Sequence, residues 1–425
     1  MIITKDINKK IEKERSCVIT LHLKGSQKFD VEDSLEELAQ LVIAAGGNVQ
    51  KKMIVTRLKP TPNYYIGKGK VEELLQIIFD EKIGMVVFNN DLTPAQERNL
   101  SEMLKVKVLD RTELILDIFA QRARSNEGKL QIELAQLAYM LPRLTRLWTH
   151  LSRQVGGIGT RGPGEKQLEV DRRRVRERIV RLNKELDKIK SNRDIQRQSR
   201  IRKGFPLISF IGYTNAGKST LFNSLTSAHA FVKNQLFSTL TPLSRQIKLP
   251  NNQRAIVSDT VGFLKKLPHH LIESFKATLE EVVVADLLIH VIDITIPDLS
   301  QKYIAVMDVL KELGVIKKPM IVVFNKIDLL KNNYILERAL REYSGSVGVS
   351  AKTGVCVDKL LDEVVSLIGR KREFCRFMIP HEKAKEVRSI FHSGSICEKK
   401  YKPEGIYVSA EVPLEIKNIL REYLV

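Results

Sequence analysis

Nine consecutive residues, Gly212, Tyr213, Thr214, Asn215, Ala216, Gly217, Lys218, Ser219 and Thr220, have the types and spacing to hold a polyphosphate. Ahead of them Leu207, Ile208, Phe210 and Ile211 form an apolar run that reads as a strand, and Lys218 to Leu225 reads as a helix start. Glycines at such a junction let the backbone turn tightly, so that successive N–H groups and the positive helix end surround phosphate oxygens. Lys218 then reaches the two outer phosphates, and Ser219 is placed to ligate Mg²⁺.

Three further segments follow in the order such a site needs. Arg254 to Ser258 reads as a strand delivering Asp259-Thr260-Val261-Gly262, which puts a carboxylate beside the metal and a mobile glycine beside the outermost phosphate. Between loop and carboxylate lies Phe237-Ser238-Thr239-Leu240-Thr241-Pro242, whose Thr239, or its neighbour Thr241, can offer a hydroxyl to the metal. Met320 to Phe324 reads as a buried strand ending in Asn325-Lys326-Ile327-Asp328, and Val347 to Val349 leads into Ser350-Ala351-Lys352.

Asp328 chooses the base. Its two oxygens accept from N1–H and the 2-amino group of guanine, and adenine lacks that pair of donors and would leave a buried carboxylate unpaired, a discrimination on the order of 10⁴-fold or more. Lys326 lays its stem along the base, Asn325 ties this loop to the phosphate loop, and the Ser350–Ala351–Lys352 backbone closes over the guanine O6. The ligands are therefore GTP and GDP with Mg²⁺ held by Ser219, Thr239 and Asp259, and Lys218, Thr239 and Gly262 face the reacting phosphate. GTPases that hydrolyse with a glutamine carry it after the glycine of the Asp259 motif; Phe263 stands there and cannot orient water, so hydrolysis without a partner is expected to be slow. His269 and His270 read as surface histidines, and His290 as a satisfied core histidine.

The elements around this site suggest four parts: 1–128, 129–203, 204–372 and 373–425. In the first, Cys17 to Leu23 alternates as a strand, and Ser34 caps a helix running through Leu35, Leu38 and Val42 to Gly46-Gly47. Strands at Met53–Val55, Met85–Phe88 and Val106–Leu109, with helices at Val71–Phe79 and Pro94–Leu104, make an α/β domain with a largely parallel sheet. Gly67-Lys68-Gly69-Lys70 opens one helix, either as a phosphate cradle without full Walker spacing or as a helix cap.

From Lys129 the apolar period becomes that of a helical seam, and a matching seam lies beyond a glycine-rich segment, which argues for an antiparallel helical hairpin with Pro142 kinking or dividing its first arm. From Arg172 to Lys203 there are fourteen Lys and Arg against four Asp and Glu, half of the chain's net charge of +20. Solvated coiled-coil faces usually mix signs, so Arg172, Arg173, Arg174 and Arg176 are candidate RNA contacts. Arg153, Arg161 and Lys166 join them at the tip, where six glycines and prolines make either an RNA-following loop or a long turn. The last part, with a helix near His381–Phe391 and a strand at Gly405–Val412, reads as a small α+β appendage. Cys17, Cys356, Cys375 and Cys397 have no paired spacing for zinc or redox chemistry, and no apolar run approaches the ~18 to 20 residues of a membrane span.

With Gly67 to Lys70, Asp91-Leu92-Thr93-Pro94-Ala95-Gln96, Asp110-Arg111-Thr112, Asp117 to Ala123, Leu147 to Gln154, Gly159 to Glu165 and the GTPase motifs in view, the chain resembles the HflX family of translation GTPases over almost its whole length. The resemblance implies a cytoplasmic, monomeric factor, peripheral to membranes only through ribosomes. It binds the large ribosomal subunit and ribosomal RNA, is stimulated by ribosomes, and splits or rescues them under stress. A guanine-nucleotide switch that recruits another factor without splitting is the alternative.

Overall fold

The computed structural model describes residues 14–25, 28–123, 125–145, 163–202, 205–226, 243–263, 276–296, 299–369, 372–384, 386–387, 390 and 395–425. These form two compact units, Met1–Asn183 and Lys184–Val425.

The first unit is built on four parallel strands, β1 (Arg15–Leu23), β2 (Asn48–Arg57), β3 (Met85–Phe88) and β4 (Lys107–Asp110), in the order β2-β1-β3-β4. Right-handed crossovers place helices over such a sheet, which buries its inner strands on both faces. Here the connecting helices are α1 (Lys28–Ala44), α2 (Lys68–Glu81) and α3 (Pro94–Leu104). Inner strand β1 is accordingly buried from Ser16 to Leu21 rather than alternating as expected. Ser34 lies inside α1, not at its cap, because the helical period runs back through the buried Val31. Thr93 caps α3 reciprocally with Gln96. Gly67 is the N-cap of α2 at φ 85°, and the Arg57 guanidinium lies where a Cβ would stand, 2.1 Å away.

Helix α4 (Arg111–Arg122) follows β4 directly and packs against α5 (Asn126–Met140). Asp110, 1% exposed, fastens this part of the unit. Its Oδ2 accepts from Leu92 N at 3.1 Å, Tyr139 OH at 2.7 Å and Arg143 Nη2 at 3.2 Å, while Oδ1 accepts from Glu113 N at 2.9 Å. Arg143 also donates to Leu92 O and pairs with Glu97, and its guanidinium sits 3.5 Å from the Tyr139 ring centroid. Burial, with the charges of Glu97 and Asp110 adding to it, pushes the Glu113 carboxyl up to about 7.

The expected seam of the first hairpin arm is turned by this docking. Leu130, Ile132, Ala135 and Tyr139 of α5 are buried, whereas Leu134 and Leu137 are only half-buried. The helix ends at Met140, ahead of Pro142, as the missing N–H requires. The second arm is a single helix, α6 (Pro163–Arg202), and the division between the two units falls within it. Arg178 of α6 forks onto Glu133 of α5 at 2.7 and 2.9 Å, which holds the Glu133 carboxyl below its ordinary range. Residues 146–162, with Arg153 and Arg161, lie outside the described residues, as does the Lys166 side chain.

The second unit holds a six-stranded sheet, β5 (Leu207–Gly212), β6 (Leu243–Lys248), β7 (Arg254–Asp259), β8 (Leu287–Asp293), β9 (Met320–Asn325) and β10 (Val347–Gly348), in the order β10-β9-β8-β5-β7-β6. Only β6 runs antiparallel. The chain builds outward from β5 on one side and then on the other, and open α/β sheets bind ligands at the carboxyl ends of strands at such a reversal. Helices α7 (Lys218–Thr226), α8 (Lys276–Val284), α9 (Leu299–Glu312), α10 (Tyr334–Glu342) and α11 (Val357–Gly369) complete this part. A third sheet, β11 (Arg372–Ile379), β12 (Ser395–Lys402) and β13 (Gly405–Pro413), is antiparallel in the order β11-β13-β12, followed by α12 (Leu414–Ile419). The helix expected near His381–Phe391 opens as a 3₁₀ turn over His381–Lys383 and is α-helical at Ala384, Glu386, Val387 and Ile390, the positions between them lying outside the described residues.

Candidate functional site

The carboxyl ends of β5, β7, β8 and β9 converge on the loop from Gly212 to Ser219. β5 is buried from Ile208 to Gly212, which fixes where the loop starts. Gly212 has φ 141°, and a Cβ there would meet Val291 O at 2.2 Å. At Gly217, φ 92°, a Cβ would meet the Asn325 amide nitrogen at 2.1 Å. Both positions therefore demand glycine by closeness as well as by backbone conformation.

Lys218 is 6% exposed, and its Nζ donates to the carbonyls of Gly212 at 3.0 Å and Tyr213 at 2.8 Å. Burial lowers its ammonium to about 8, against the Asp259 charge that favours the protonated form. Asp259 is fully buried at the end of β7, and Ser219 Oγ donates to its Oδ2 at 2.6 Å. These two hard oxygen donors suit Mg²⁺, which takes few protein ligands and completes its shell with phosphate and water. Among the described residues no cluster of three or more His, Cys, Asp or Glu could hold a metal. Thr214 is 7% exposed, and its Oγ1 is buried without a hydrogen-bond partner. Asn215, at φ 61°, is exposed at the loop's apex.

Gly262 closes over this loop: a Cβ would lie 2.8 Å from Thr214 Cα and 3.0 Å from Lys218 Nζ. The next residue zips the two loops together, since Phe263 N donates to Gly212 O at 3.1 Å and Thr214 N donates to Phe263 O at 2.9 Å. The Phe263 ring is 3% exposed, in an apolar cluster with Ile211, Leu279, Val282, Leu288, Val306 and Leu310. Phe263 is thus a core residue by its side chain and a loop tie by its backbone. Thr260 adds a bond from Oγ1 to Phe210 O at 2.5 Å.

On the other side of β5, Asn325 ends the buried strand β9. Its Nδ2 donates to Ala216 O at 2.9 Å and its Oδ1 accepts from Ala351 N at 2.9 Å, so one amide joins three loops. Lys326 follows in the left-handed region at φ 67°, and its ammonium donates to Asp293 Oδ2 at 2.6 Å. Asp328 Oδ1 accepts from Ser350 Oγ at 2.6 Å, and Thr353 N donates to that same hydroxyl oxygen. Asp328 is exposed, so it is not the buried carboxylate that the base-selection argument assumes. The discrimination holds only once a base covers it. Lys352 is also exposed.

His290 is 1% exposed and stacks on Tyr303 at 5.3 Å, and burial drops its imidazolium to about 3. It is a neutral core histidine whose Nδ1 has no hydrogen-bond partner, so the expected satisfaction is incomplete. Phe237, Thr239, Thr241, His269 and His270 lie outside the described residues. Arg173, Arg174 and Arg176 are exposed on α6 and Arg172 is half-buried. Asp293 escaped the sequence reading, although its place at the end of a buried strand, opposite Asn325, is the signal that finds it.

These loops match known proteins along the chain. A curated GTPase HflX from Caldanaerobacter subterraneus subsp. tengcongensis is 45% identical over 416 residues, 97% of this chain and 94% of that relative. The chain belongs to the HflX family of GTPases. The HflX of Escherichia coli is 41% identical over 399 residues, 94% of this chain and 93% of its own. Three family descriptions match in sequence order: "GTP-binding GTPase N-terminal" over 32–120, "GTP-binding GTPase Middle Region" over 122–200 and "50S ribosome-binding GTPase" over 207–326. Among solved structures, a GTP-binding protein from Sulfolobus solfataricus in complex with GDP is 28% identical, at TM-score 0.44, covering 84% of this chain and 99% of that one. As a member of the HflX family the chain binds guanine nucleotides and hydrolyses GTP. Among the described residues no helix is long and apolar enough to cross a membrane.

Proposed function

We propose that this GTPase binds the large ribosomal subunit in its GTP state, is stimulated by it, and splits or rescues ribosomes under stress. The observation that carries the reading is the row of cations on α6, where Arg173, Arg174 and Arg176 are exposed, on a chain whose GTPase region matches a family described as ribosome-binding. Exposed guanidinium groups neutralise phosphates and supply sequence-independent affinity for RNA. Arg172 and the tip residues Arg153, Arg161 and Lys166 extend that contact, and the protein acts as a cytoplasmic monomer. The parts 1–128, 129–203, 204–372 and 373–425 then act as RNA-facing domain, RNA-facing hairpin, nucleotide switch and appendage.

At the nucleotide, Gly212 to Thr220 cradle the phosphates, and Asp328 reads the guanine edge with Asn325, Lys326, Ser350, Ala351 and Lys352 around it. Phe237 is assigned to nucleotide contact from the sequence. Ser219, Asp259 and Thr239 would hold Mg²⁺, which would supply charge neutralisation of the phosphate oxygens. Two of the three donors of the Lys218 ammonium rest on the carbonyls of Gly212 and Tyr213, and the third can serve the outer phosphates. Position 263 presents no side chain to them, because its ring is in the core, so the partner completes water positioning.

Steady-state GTP hydrolysis with and without purified large subunits tests the proposal: a rate that subunits leave unchanged overturns it. Replacing Arg172, Arg173, Arg174 and Arg176 by glutamine should weaken ribosome binding and flatten its salt dependence, with GDP affinity intact. Equal loss of both would assign the effect to folding instead.

A further inference from the structure

We infer that Asp293 is a positioning residue for nucleotide binding, which tethers the Lys326 ammonium so that only the lysine's methylene stem is left to face the base. This rests on the reading of Lys326 as the platform under guanine.

Asp293 is the last residue of β8 and stands in register opposite Asn325 of β9. Both carboxylate oxygens are engaged. Oδ2 accepts from Lys326 Nζ at 2.6 Å, and Oδ1 accepts from Thr295 N at 3.0 Å and Thr295 Oγ1 at 2.6 Å. The turn that presents Asp293 is itself bonded across to β9, Ile294 N donating to Asn325 O at 3.1 Å. The carboxylate therefore cannot swing without breaking its own turn. The pair is largely shielded from water, with side-chain exposures of 24% for Lys326 and 13% for Asp293, so the charge-assisted bond is little screened.

The lysine would otherwise be a poor platform, because its stem has four rotatable bonds and its ammonium seeks water. The left-handed backbone at Lys326 sets the direction in which the stem departs, and Asp293 fixes where it ends. A stem held at both ends has paid its ordering cost before nucleotide arrives. Methylene groups carry no donor or acceptor pattern, so Asp293 should set affinity for purine nucleotides in general, whereas Asp328 sets the choice among them.

The test compares wild type, Asp293→Asn, Lys326→Ala and the double variant in the full chain. It measures the Kd for GDP and for IDP, which lacks the 2-amino group, and KM and kcat for GTP. Asparagine keeps an acceptor for Thr295 and loses the charge facing Lys326. Expected for Asp293→Asn are about a tenfold rise in Kd for both nucleotides, a matching rise in KM and an unchanged kcat. The GDP-to-IDP ratio should stay as in wild type, and Asp293→Asn should have no further effect in the Lys326→Ala background. Independent, multiplying effects in the double variant, or a kcat that falls with Kd unchanged, overturn the proposal. If Lys326→Ala alone leaves the Kd unchanged, the platform reading of Lys326 fails instead. Thermal midpoints of the nucleotide-free variants identify a folding defect, and should that appear, Asp293→Glu, which keeps the charge, must restore GDP affinity for the proposal to stand.

Discussion

Asp110 and Asp259 are both buried carboxylates at the ends of parallel strands, 1% and 0% exposed, yet they serve opposite ends. Asp110 collects two backbone N–H groups, a phenol and a guanidinium, all fixed within its own unit. Asp259 holds the Ser219 hydroxyl, and the neighbouring Lys218 is bonded to loop carbonyls. The Ser219–Asp259 bond is one that a metal would exchange for its own ligation, and the Lys218 ammonium has a third donor for phosphate. A buried polar cluster that is finished makes a joint; one whose bonds are exchangeable makes a site. The difference lies in which partners can leave.

Removing the finished joint should cost most. Asp110→Ala takes the acceptor from the buried Tyr139 phenol and from the Leu92 and Glu113 N–H groups, and urea denaturation should show a loss of about 3–5 kcal/mol in the stability of the first unit, with GDP affinity unchanged. A drop in GDP affinity of similar size would show that the contrast is misdrawn.

The opposite change at the exchangeable cluster should cost binding and not stability. Lys218→Ala removes a desolvated ammonium, so triphosphate affinity should fall by about 10- to 100-fold while the nucleotide-free protein melts no lower than wild type. Calorimetric titration and a thermal scan of the same sample check both halves, and a lower melting point would count against the site being held ready at a cost.

The smallest effect concerns pH, and the signs differ between the regions. The folded Glu113 carboxyl titrates near 7, above its ordinary 4.5, so the native state binds the extra proton between those values and stability falls as pH rises from about 4.5 to 7. Glu113→Gln should therefore raise the melting point by a few degrees at pH 8 and leave it alone at pH 4. Lys218 titrates near 8, below its ordinary 10.5, so the unfolded state binds more protons between those values and the nucleotide-free protein gains stability from about pH 8 to 10.5. Lys218→Ala should abolish that gain, and its persistence would assign it to another group.

What could be read from sequence follows the same division. The phosphate loop, Asp259 and Asn325 were legible because each lies where a strongly apolar run stops, and strand ends fix positions in an α/β sheet. The Asp110 cluster was not, because its partners are drawn from Leu92, Glu113, Tyr139 and Arg143, which tertiary folding alone brings together. Asp293 was missed for a related reason, since its meaning comes from the register of β8 on β9. Strands β11 and β12 were not anticipated, because charged residues such as Glu373 and Arg376, or Glu398, Lys399 and Lys400, interrupt them and one face of this small sheet stays outside its core.

The zipper between Gly212, Thr214 and Phe263 recasts the absent glutamine. A side chain at 263 grows from a backbone stitched to the phosphate loop and enters a cluster of Leu279, Val282, Val306 and Leu310. An amide installed there would be sealed among hydrocarbons, at a cost of about 1–3 kcal/mol, with no line of sight to the reacting phosphate. The position is an anchor bolt between two loops, and a catalytic group for this architecture has to arrive from some other direction.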